Sequence, residues 1–288
     1  MKETWFYETL FPSVRLGLKV KETLVSNKSQ YQKISILDTY QFGKVLILDG
    51  VVQTTERDEF IYHEMLTHLP MLSHPHPERV LVIGGGDGGI LREALKYPVK
   101  QVFLVEIDKK VIEFSKIYLS AICRNSFNDR RANIIIDDGV NFVKEGKGKF
   151  DVIIVDSSDP IGPAKVLFSS KFYGDVFNIL SHDYGIFAQQ TGSPFLQREE
   201  LPHVYRRLKK IFPFVTAFFA AVPTYIGGLF SFVFASKGIN PMKIRLSEIE
   251  KRYRKLKLKT RYYNPRIHHS AFALPTYIRE AVEGKRNG

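Results

Sequence analysis

Short runs of consecutive apolar residues recur along the central part of the chain, separated by segments with helical periodicity. Uninterrupted apolar runs are typical of strands buried on both faces of a parallel sheet. We predict strands over residues 80–83, 101–105, 132–136, 152–155, 185–189 and 230–235. Helices are predicted over 90–96 and 111–119. This alternation predicts an α/β fold, Rossmann-like (class I methyltransferase-type), with a mostly parallel sheet.

The N-terminal part of the chain has a different pattern. Residues 33–37 and 44–48 are short β segments, and 38–43 between them has the composition of a hairpin connection. We therefore predict a small antiparallel β domain over residues 1–55 and a Rossmann-like catalytic domain over residues 56–288. A helix over residues 57–71 is predicted to open the second domain, with Thr54 or Thr55 as its N-cap and the Ser-His-Pro-His-Pro run at 73–77 as its end.

A glycine-rich loop follows the first strand of the predicted parallel sheet, in the segment VLVIGGGDGG. Gly84, Gly86 and Gly89 fit the G-x-G-x-x-G pattern, and Glu106 follows about twenty residues later, where a carboxylate can bind ribose hydroxyls. The pattern fits nicotinamide dehydrogenases as well as sulfonium-nucleoside transferases. Asp87 inside the loop would repel an anion, so we expect a positively charged ligand there.

Further carboxylates end the later strands, where ligands of such sheets bind. Asp138 and Gly139 follow the third strand and could hold an adenine edge, although Asp-Gly is also a common turn pair. Asp156 and Asp159 lie in the segment DSSDPIGP after the fourth strand. Clustered carboxylates raise each other's pKa unless a cation lies among them. A cationic substrate is the simplest explanation of these acids.

Composition excludes several classes of protein. The chain has 288 residues, a net charge of +12, one cysteine and no apolar run long enough for a transmembrane helix. The basic excess is densest at residues 243–266, where Ile249, Tyr253 and Leu256 recur at helical spacing, so a helix with a solvated basic face is expected rather than a nucleic-acid site. A lone Cys123 favours a reducing compartment and hence a cytoplasmic protein. No metal is expected, because no Cys/His cluster has ligand spacing.

Taken in order, several segments resemble the spermidine synthase family of aminopropyltransferases: LDGVVQTTERDEFIYHEMLTHLP, VLVIGGGDGG, VEID, IDDGVNFV, FDVIIVDSSDPIGP, PTYIGG and YYNP with HSAFALP. The resemblance implies transfer of an aminopropyl group from decarboxylated S-adenosylmethionine to putrescine, giving spermidine and 5'-methylthioadenosine. It also implies a homodimer or homotetramer and no cofactor, since the donor is a co-substrate. Neither a nucleic acid nor a membrane is expected as a partner.

The resemblance also assigns residues. It implies donor contacts from Gln32, Gly84, Gly86, Asp87, Glu106, Asp138, Gly139 and Pro163. It implies amine contacts from Gln53, Tyr62, His63, Asp87, Asp156, Asp159 and Tyr225, with Asp156 as the proton acceptor. On residue type alone, His63 and Tyr225 are as compatible with structural roles. Residues 160–168 are a candidate lid.

The chain departs from the family pattern at Gly192, where many relatives have a glutamate. Acceptor choice therefore stays open between putrescine and another amine such as agmatine or cadaverine. A more distant alternative is a methyltransferase that uses full S-adenosylmethionine, which Asp87 disfavours. A polyamine- or nucleic-acid-binding protein without catalytic activity is the third hypothesis.

Overall fold

Two β-sheets organise the computed structural model, which describes residues 3–159 and 162–284, with only the backbone described for 162 and 163. The first sheet is antiparallel and follows chain order. Its strands are β1 Thr4–Tyr7, β2 Gly17–Lys28, β3 Lys33–Thr39, β4 Gly43–Leu48 and β5 Val51–Thr55. One face forms its own core around Val45 and Ile47, and the other packs Ile34, Ile36 and Leu46 against the larger body.

The second sheet has the strand order β11-β12-β10-β9-β6-β7-β8. Its strands are β6 Arg79–Gly84, β7 Gln101–Glu106, β8 Ala132–Ile136, β9 Val152–Asp156, β10 Ile186–Gln190, β11 Phe214–Ala220 and β12 Phe230–Ser236. Strands β6 to β10 all run parallel to one another. Strand β12 is antiparallel to both of its neighbours, β10 and β11. The expected α/β, Rossmann-like class with a small antiparallel β unit is confirmed.

Helices cover both faces of the second sheet. They are α1 Glu59–Ser73, α2 Gly89–Ala94, α3 Lys109–Tyr118, α4 Ser120–Cys123, α5 Gly139–Glu145, α6 Ser170–Ile179, α7 Glu200–Lys209, α8 Leu246–Lys255, α9 Pro265–Ser270 and α10 Thr276–Glu283. Alternate residues of β6 point to opposite layers, so Val80 and Val82 pack with α1 while Leu81 and Ile83 pack with α6 and α7. No helix of the described ranges is long and apolar enough to cross a membrane.

The order of the strands determines where a ligand can bind. The chain runs outward from β6 through β7 to β8 and then crosses back to β9 on the other side of β6. Doubly wound sheets bind ligands in the crevice at such a reversal, beyond the carboxyl ends of the strands. Gly84 at the end of β6 is in register with Asp156 at the end of β9, so both acidic loops open into that crevice.

Two local expectations have different outcomes. The basic segment does form a helix, α8, with Ile249 buried and its lysines exposed. The predicted N-cap of α1 is wrong, because Thr54 and Thr55 belong to β5 and the helix begins at Glu59. The Thr55 hydroxyl instead donates to Asp58 Oδ1 at 2.6 Å, and Asp58 Oδ2 accepts from the Thr224 amide and hydroxyl. Asp58 therefore ties the start of α1 to the loop after β11 rather than capping the helix.

Candidate active site

A cavity of about 460 Å³ lies between the carboxyl ends of β6, β7 and β9 and the first sheet. Most residues that the sequence nominated line it: Gln32, Gln53, Tyr62, Gly84, Gly86, Asp87, Glu106, Asp138, Gly139, Asp156, Asp159 and Tyr225. His63 lies one layer behind this wall, and the side chain of Pro163 is outside the described residues. Of the proposed lid, residues 160 and 161 are also outside them, while Ala164, Val166 and Leu167 line the cavity.

The glycine loop and the end of β9 are joined directly. Gly84 has φ +79°, and a Cβ there would lie 2.1 Å from the Asp156 carbonyl oxygen, so only glycine fits. The Gly85 amide donates to that same oxygen at 2.9 Å. This contact brings the acidic loop and Asp156 together on one side of the crevice.

Glu106 and Asp108 form the wall beside β7. The Asp108 amide donates to Glu106 Oε1 at 2.9 Å, and burial raises the pKa of Glu106 to about 7. Asp108 caps α3 and accepts hydrogen bonds from Ser29 and the Gln32 side-chain amide at 2.6 and 3.1 Å. The first sheet therefore contributes Gln32 to the cavity through a carboxylate that the sequence analysis did not nominate.

Asp138 has a structural task as well as a place in the cavity wall. Its Oδ1 accepts the Val140 amide at 2.7 Å, which makes Asp138 the N-cap of α5. Its second carboxylate oxygen has no such partner in the helix. The N-terminus of α5 and the Asp138 carboxylate thus present both donors and acceptors next to Gly139.

Asp87 and Asp156 lie close together in the crevice, and one ligating atom from each of His63, Asp87 and Asp156 lies within 4.8 Å of the others. Burial and the Asp87 charge raise the pKa of Asp156 to about 6. Burial also opposes ionisation of Asp87, but the His63 imidazolium, the Gly89 amide and Arg92 together lower the pKa of that carboxyl. Clustered acids were expected to raise each other's pKa unless a cation lies among them: Asp156 shows the rise, and Asp87 shows the exception, because a cation lies beside it.

The difference comes from His63, which is held between two carboxylates. Its Nδ1 lies 2.6 Å from Glu59 Oε2, and its Nε2 lies 3.3 Å from Asp87 Oδ2. Burial alone would lower the pKa of His63, but Asp87 and Glu59 raise it well above its usual value. Both ring nitrogens then carry protons, so this ring has no lone pair to offer a metal among the three clustered groups.

Aromatic side chains form the wall next to Asp156. The Tyr62 hydroxyl donates to Asp156 Oδ1 at 2.6 Å, and the Tyr225 hydroxyl donates to the Gln53 carbonyl oxygen. The Tyr62 ring packs edge-on against Tyr225 and Phe230, with centroids 5.7 and 5.8 Å apart. This wall suits the methylene groups of an extended chain.

Two polar residues beyond the nominated set extend the acidic end of the cavity. Glu8 is 4% exposed, lines the cavity and accepts the Val52 amide at 2.9 Å. Burial and the charge of Asp159 raise the pKa of Glu8, and Gln197 hydrogen-bonds Asp159. The sequence analysis predicted no element around Glu8, which follows β1 and is held next to β2 by the hydrogen bond from its amide to the Leu16 carbonyl oxygen.

Gly89→Ala tests how closely the glycine loop fits His63. A Cβ at Gly89 would lie 2.2 Å from His63 Cε1 and 2.3 Å from Nδ1. Relieving that overlap should cost about 1–3 kcal/mol of unfolding free energy and displace the ring from Asp87, with loss of ligand binding. The matched control is Gly174→Ala in α6, where a Cβ meets no heavy atom within 4 Å and should be neutral or stabilising. Denaturant unfolding of both variants measures the difference, and equal stability would contradict this view of Gly89.

Comparisons with known proteins agree over nearly the whole chain. The family model of the spermine/spermidine synthase domain matches residues 59–245, and that of the spermidine synthase tetramerisation domain matches residues 4–56. A polyamine aminopropyltransferase of Caldicellulosiruptor saccharolyticus is 47% identical, over 98% of this chain and 99% of its own length. A crystal structure of spermidine synthase in complex with the transition-state analogue AdoDATO superposes with a TM-score of 0.92 at 39% identity, covering 97% of this chain and 95% of that one. A crystal structure of spermidine synthase from Thermotoga maritima superposes with a TM-score of 0.89 at 38% identity, covering 97% of this chain and 94% of that one.

Proposed function

The chain belongs to the spermine/spermidine synthase family and is an aminopropyltransferase, and from that premise we propose that it transfers the aminopropyl group of decarboxylated S-adenosylmethionine to putrescine. The observation that carries the proposal is the pairing of Asp87 and Asp156 at the switch point of the sheet, beside a nucleoside-sized crevice. One carboxylate is there to bind a cation and the other to accept a proton.

The reaction is a displacement at carbon. The neutral amine nitrogen of the acceptor attacks the aminopropyl methylene bound to sulfur, a C–N bond forms, and the C–S bond breaks with its electron pair moving to sulfur. The sulfonium becomes the neutral thioether of methylthioadenosine, and the acceptor nitrogen, which gave up one proton to become the attacking amine, takes on the positive charge as the product ammonium. Because the leaving group carries its own positive charge, the protein supplies mainly alignment and proton removal.

The donor's adenosine is proposed to lie along the β7 and β8 side of the cavity. Glu106 would accept hydrogen bonds from the ribose hydroxyls, and Asp138 with Gly139 would bind the adenine edge. Gln32 closes this side from the first sheet, and we assign Gly84 and Gly86 to close approach of the loop to the ligand. Pro163 stays assigned as a donor contact from the sequence resemblance.

Asp87 is proposed to bind the ammonium at the end of the aminopropyl chain. The carboxylated donor has a negative group next to that ammonium, which the Asp87 carboxylate would repel. Since the His63 imidazolium keeps Asp87 ionised, this selection operates at neutral pH. The methyltransferase alternative, which needs the carboxylated donor, is disfavoured for this reason.

Asp156 is proposed to take the proton from the attacking amine. An alkyl amine with a pKa near 10 costs about 4 kcal/mol to deprotonate at pH 7, so a base within reach of the nitrogen is needed. A carboxyl whose pKa lies near 6 is mostly ionised at pH 7 and is still a better base than an ordinary aspartate. Tyr62, through its hydrogen bond, fixes the direction of this carboxylate.

The acceptor is proposed to lie along the aromatic wall. Tyr62 and Tyr225 would contact its methylenes, Gln53 would border it, and Asp159 would attract its distal ammonium. His63 acts from behind Asp87 rather than from the cavity surface. Position 192 is a glycine, and the side chain of Gln197 contacts it. Because many relatives have a glutamate at this position, agmatine and cadaverine stay as alternative acceptors.

We also propose an assembly and a location. Residues 1–55 are assigned as the oligomerisation domain and 56–288 as the catalytic domain, with a homodimer or homotetramer formed through the first sheet. Trp5 and Tyr7 on its edge strand β1 are exposed and stack on each other, which supports a contact there. A cytoplasmic location is proposed from the single cysteine, Cys123.

The direct test is incubation with decarboxylated S-adenosylmethionine and a panel of amines, with products identified by mass. We expect a product with the mass of spermidine from putrescine, together with methylthioadenosine, and slower reaction with agmatine and cadaverine. A larger kcat/KM for another amine would change the proposed acceptor. Methyl transfer from the carboxylated donor, without aminopropyl transfer, would overturn the proposal.

A further inference from the structure

A chain of buried side chains with alternating charge starts at Asp87 and runs away from the cavity. It passes from Asp87 to His63, then to Glu59, then to Arg92 and Glu93, with the contacts at 3.3, 2.6, 2.8 and 2.8 Å. Glu93 in turn meets His68 at 2.8 Å and Lys96 at 2.5 Å. Glu59 therefore lies between His63 and Arg92, and Glu93 lies between Arg92 and Lys96.

Arg92 is the most constrained member of the chain. Its guanidinium binds Glu59 with both Nη atoms, Nη1 to Oε1 at 3.1 Å and Nη2 to Oε2 at 2.8 Å. Nε donates to Glu93 at 2.8 Å, and Nη1 also donates to the Ile122 carbonyl oxygen at 2.6 Å. Such a planar fork holds a carboxylate in one orientation, which a lysine ammonium does not.

The orientation of Glu59 controls the ring behind the active site. Glu59 Oε2 accepts from His63 Nδ1 at 2.6 Å, so the position of the imidazole depends on that carboxylate. The other ring nitrogen, Nε2, lies 3.3 Å from Asp87 Oδ2 in an ion pair, while Asp87 Oδ1 accepts the Gly89 amide at 2.7 Å. Each carboxylate oxygen of Asp87 therefore has a protein partner, and the residue lines the cavity.

We propose that Arg92 is a positioning residue, which acts through Glu59 and His63 to hold the Asp87 carboxylate ready for the ammonium of the aminopropyl donor. This inference rests on the proposed function, because it assigns that ammonium as the ligand of Asp87. It differs from a purely structural role of Arg92 in one respect. It predicts that substitution of Arg92 lowers the affinity only for ligands that carry the ammonium.

Two ligands separate these roles. Decarboxylated S-adenosylmethionine has the ammonium, and methylthioadenosine has the same nucleoside without it. In Arg92→Met we expect the affinity for the decarboxylated donor to fall roughly 10-fold, while the affinity for methylthioadenosine changes less than about 2-fold. Arg92→Lys, which keeps the charge and loses the fork, should recover part of the loss. Calorimetry measures the affinity for each ligand in the wild type and in both variants.

Loss of Arg92 leaves Glu59 buried without one of its two cationic partners and can destabilise the fold. The double variant Glu59→Gln with Arg92→Met removes both charges, so it should regain stability but keep the selective loss of donor affinity. Equal losses for both ligands in the folded variants, or unchanged donor affinity in Arg92→Met, would overturn the inference.

The contact between His63 and Asp87 provides a readout that needs no substrate. The charged and titratable groups around this ring are Glu59 on α1, Asp87 in the glycine loop, Arg92 on α2 and Asp156 at the end of β9. The ¹⁵N resonance of His63 Nε2, assigned with His63→Gln, reports the geometry of the contact with Asp87 and should shift in Arg92→Met, while the ring stays doubly protonated because loss of a neighbouring cation favours the imidazolium. An unchanged spectrum in the variant would contradict the inference. Failure of the wild type to transfer an aminopropyl group, with the spectral change present, would instead count against the proposed function alone.

Discussion

Asp156→Asn is expected to lower kcat by about 10² to 10⁴-fold, the usual contribution of a positioned general base. The amide cannot accept the proton that the attacking nitrogen must lose, while its shape keeps the hydrogen bond from Tyr62. Affinity for methylthioadenosine should stay within about 2-fold, because the proposed nucleoside contacts lie on the β7 and β8 side. Single-turnover rates with donor and amine at saturation measure the chemical step directly.

Asp159→Asn is the matched control for this prediction. It removes a carboxylate from the same loop and the same cavity, but one assigned to the distal ammonium, so it should raise the amine KM with a much smaller change in kcat. Near-normal turnover in Asp156→Asn would remove Asp156 as the base. A loss in Asp159→Asn as large as in Asp156→Asn would contradict the division of roles.

The pH profile gives a second readout of the same residue. The carboxyl of Asp156 must be ionised to accept a proton, and burial with the Asp87 charge raises its pKa to about 6. Wild-type kcat/KM for the amine should therefore fall as pH drops below about 6, and Asp156→Asn should lack that limb. Burial raises the pKa of Glu106 to about 7, so this residue titrates in the same pH range. Because Glu106 is assigned to the donor, the measurement uses a saturating donor concentration to keep donor binding from affecting the profile.

Asp87→Asn is expected to weaken binding of decarboxylated S-adenosylmethionine by about 2–5 kcal/mol, on the order of 30- to 4000-fold, the usual effect of removing one partner of a buried charge pair. The donor ammonium would then meet the His63 imidazolium without an intervening carboxylate. Affinity for the carboxylated donor should fall far less or rise, because the repulsion of its carboxylate is gone. The ratio of the two affinities, measured by calorimetry, is the decisive quantity.

A suitable control is Asp175→Asn on α6, where the aspartate pairs with Lys171 on the surface. Both donor affinities should be unchanged in that variant. If Asp87→Asn kept the wild-type ratio between the two donors, Asp87 would not be the group that selects against the carboxylated form.

The residues of the candidate site that lie in short contiguous segments could be predicted from the sequence. The apolar run before Gly84, the acid at Glu106 and the paired aspartates at Asp156 and Asp159 all lie within or beside single strands. Their meeting at one crevice follows from a general property of parallel sheets, so it needed no knowledge of individual contacts. The resemblance to a family then identified the ligands.

The remaining parts depend on contacts that are distant in sequence. His63 and Glu59 are four residues apart, but the partner that orients Glu59 is Arg92, 33 residues away on α2. Glu8 enters the cavity only because β1 and β2 pair, and β11 was not predicted although its apolar pattern resembles that of its neighbour β12. Local propensity suggested a threonine cap for α1, whereas Asp58 is engaged by Thr224, 166 residues away.

Asp108 is bonded at once to the first sheet and to the helix that borders the nucleoside crevice. Ser29 and Gln32 hold it from one side, and the start of α3 holds it from the other, above the apolar seam where Ile34 and Ile36 meet Leu119. A tilt of the first sheet would therefore also move Asp108 and the start of α3, which border the proposed nucleoside site. In the proposed oligomer, subunits that associate through this sheet would restrict its tilt and so stabilise the proposed nucleoside site.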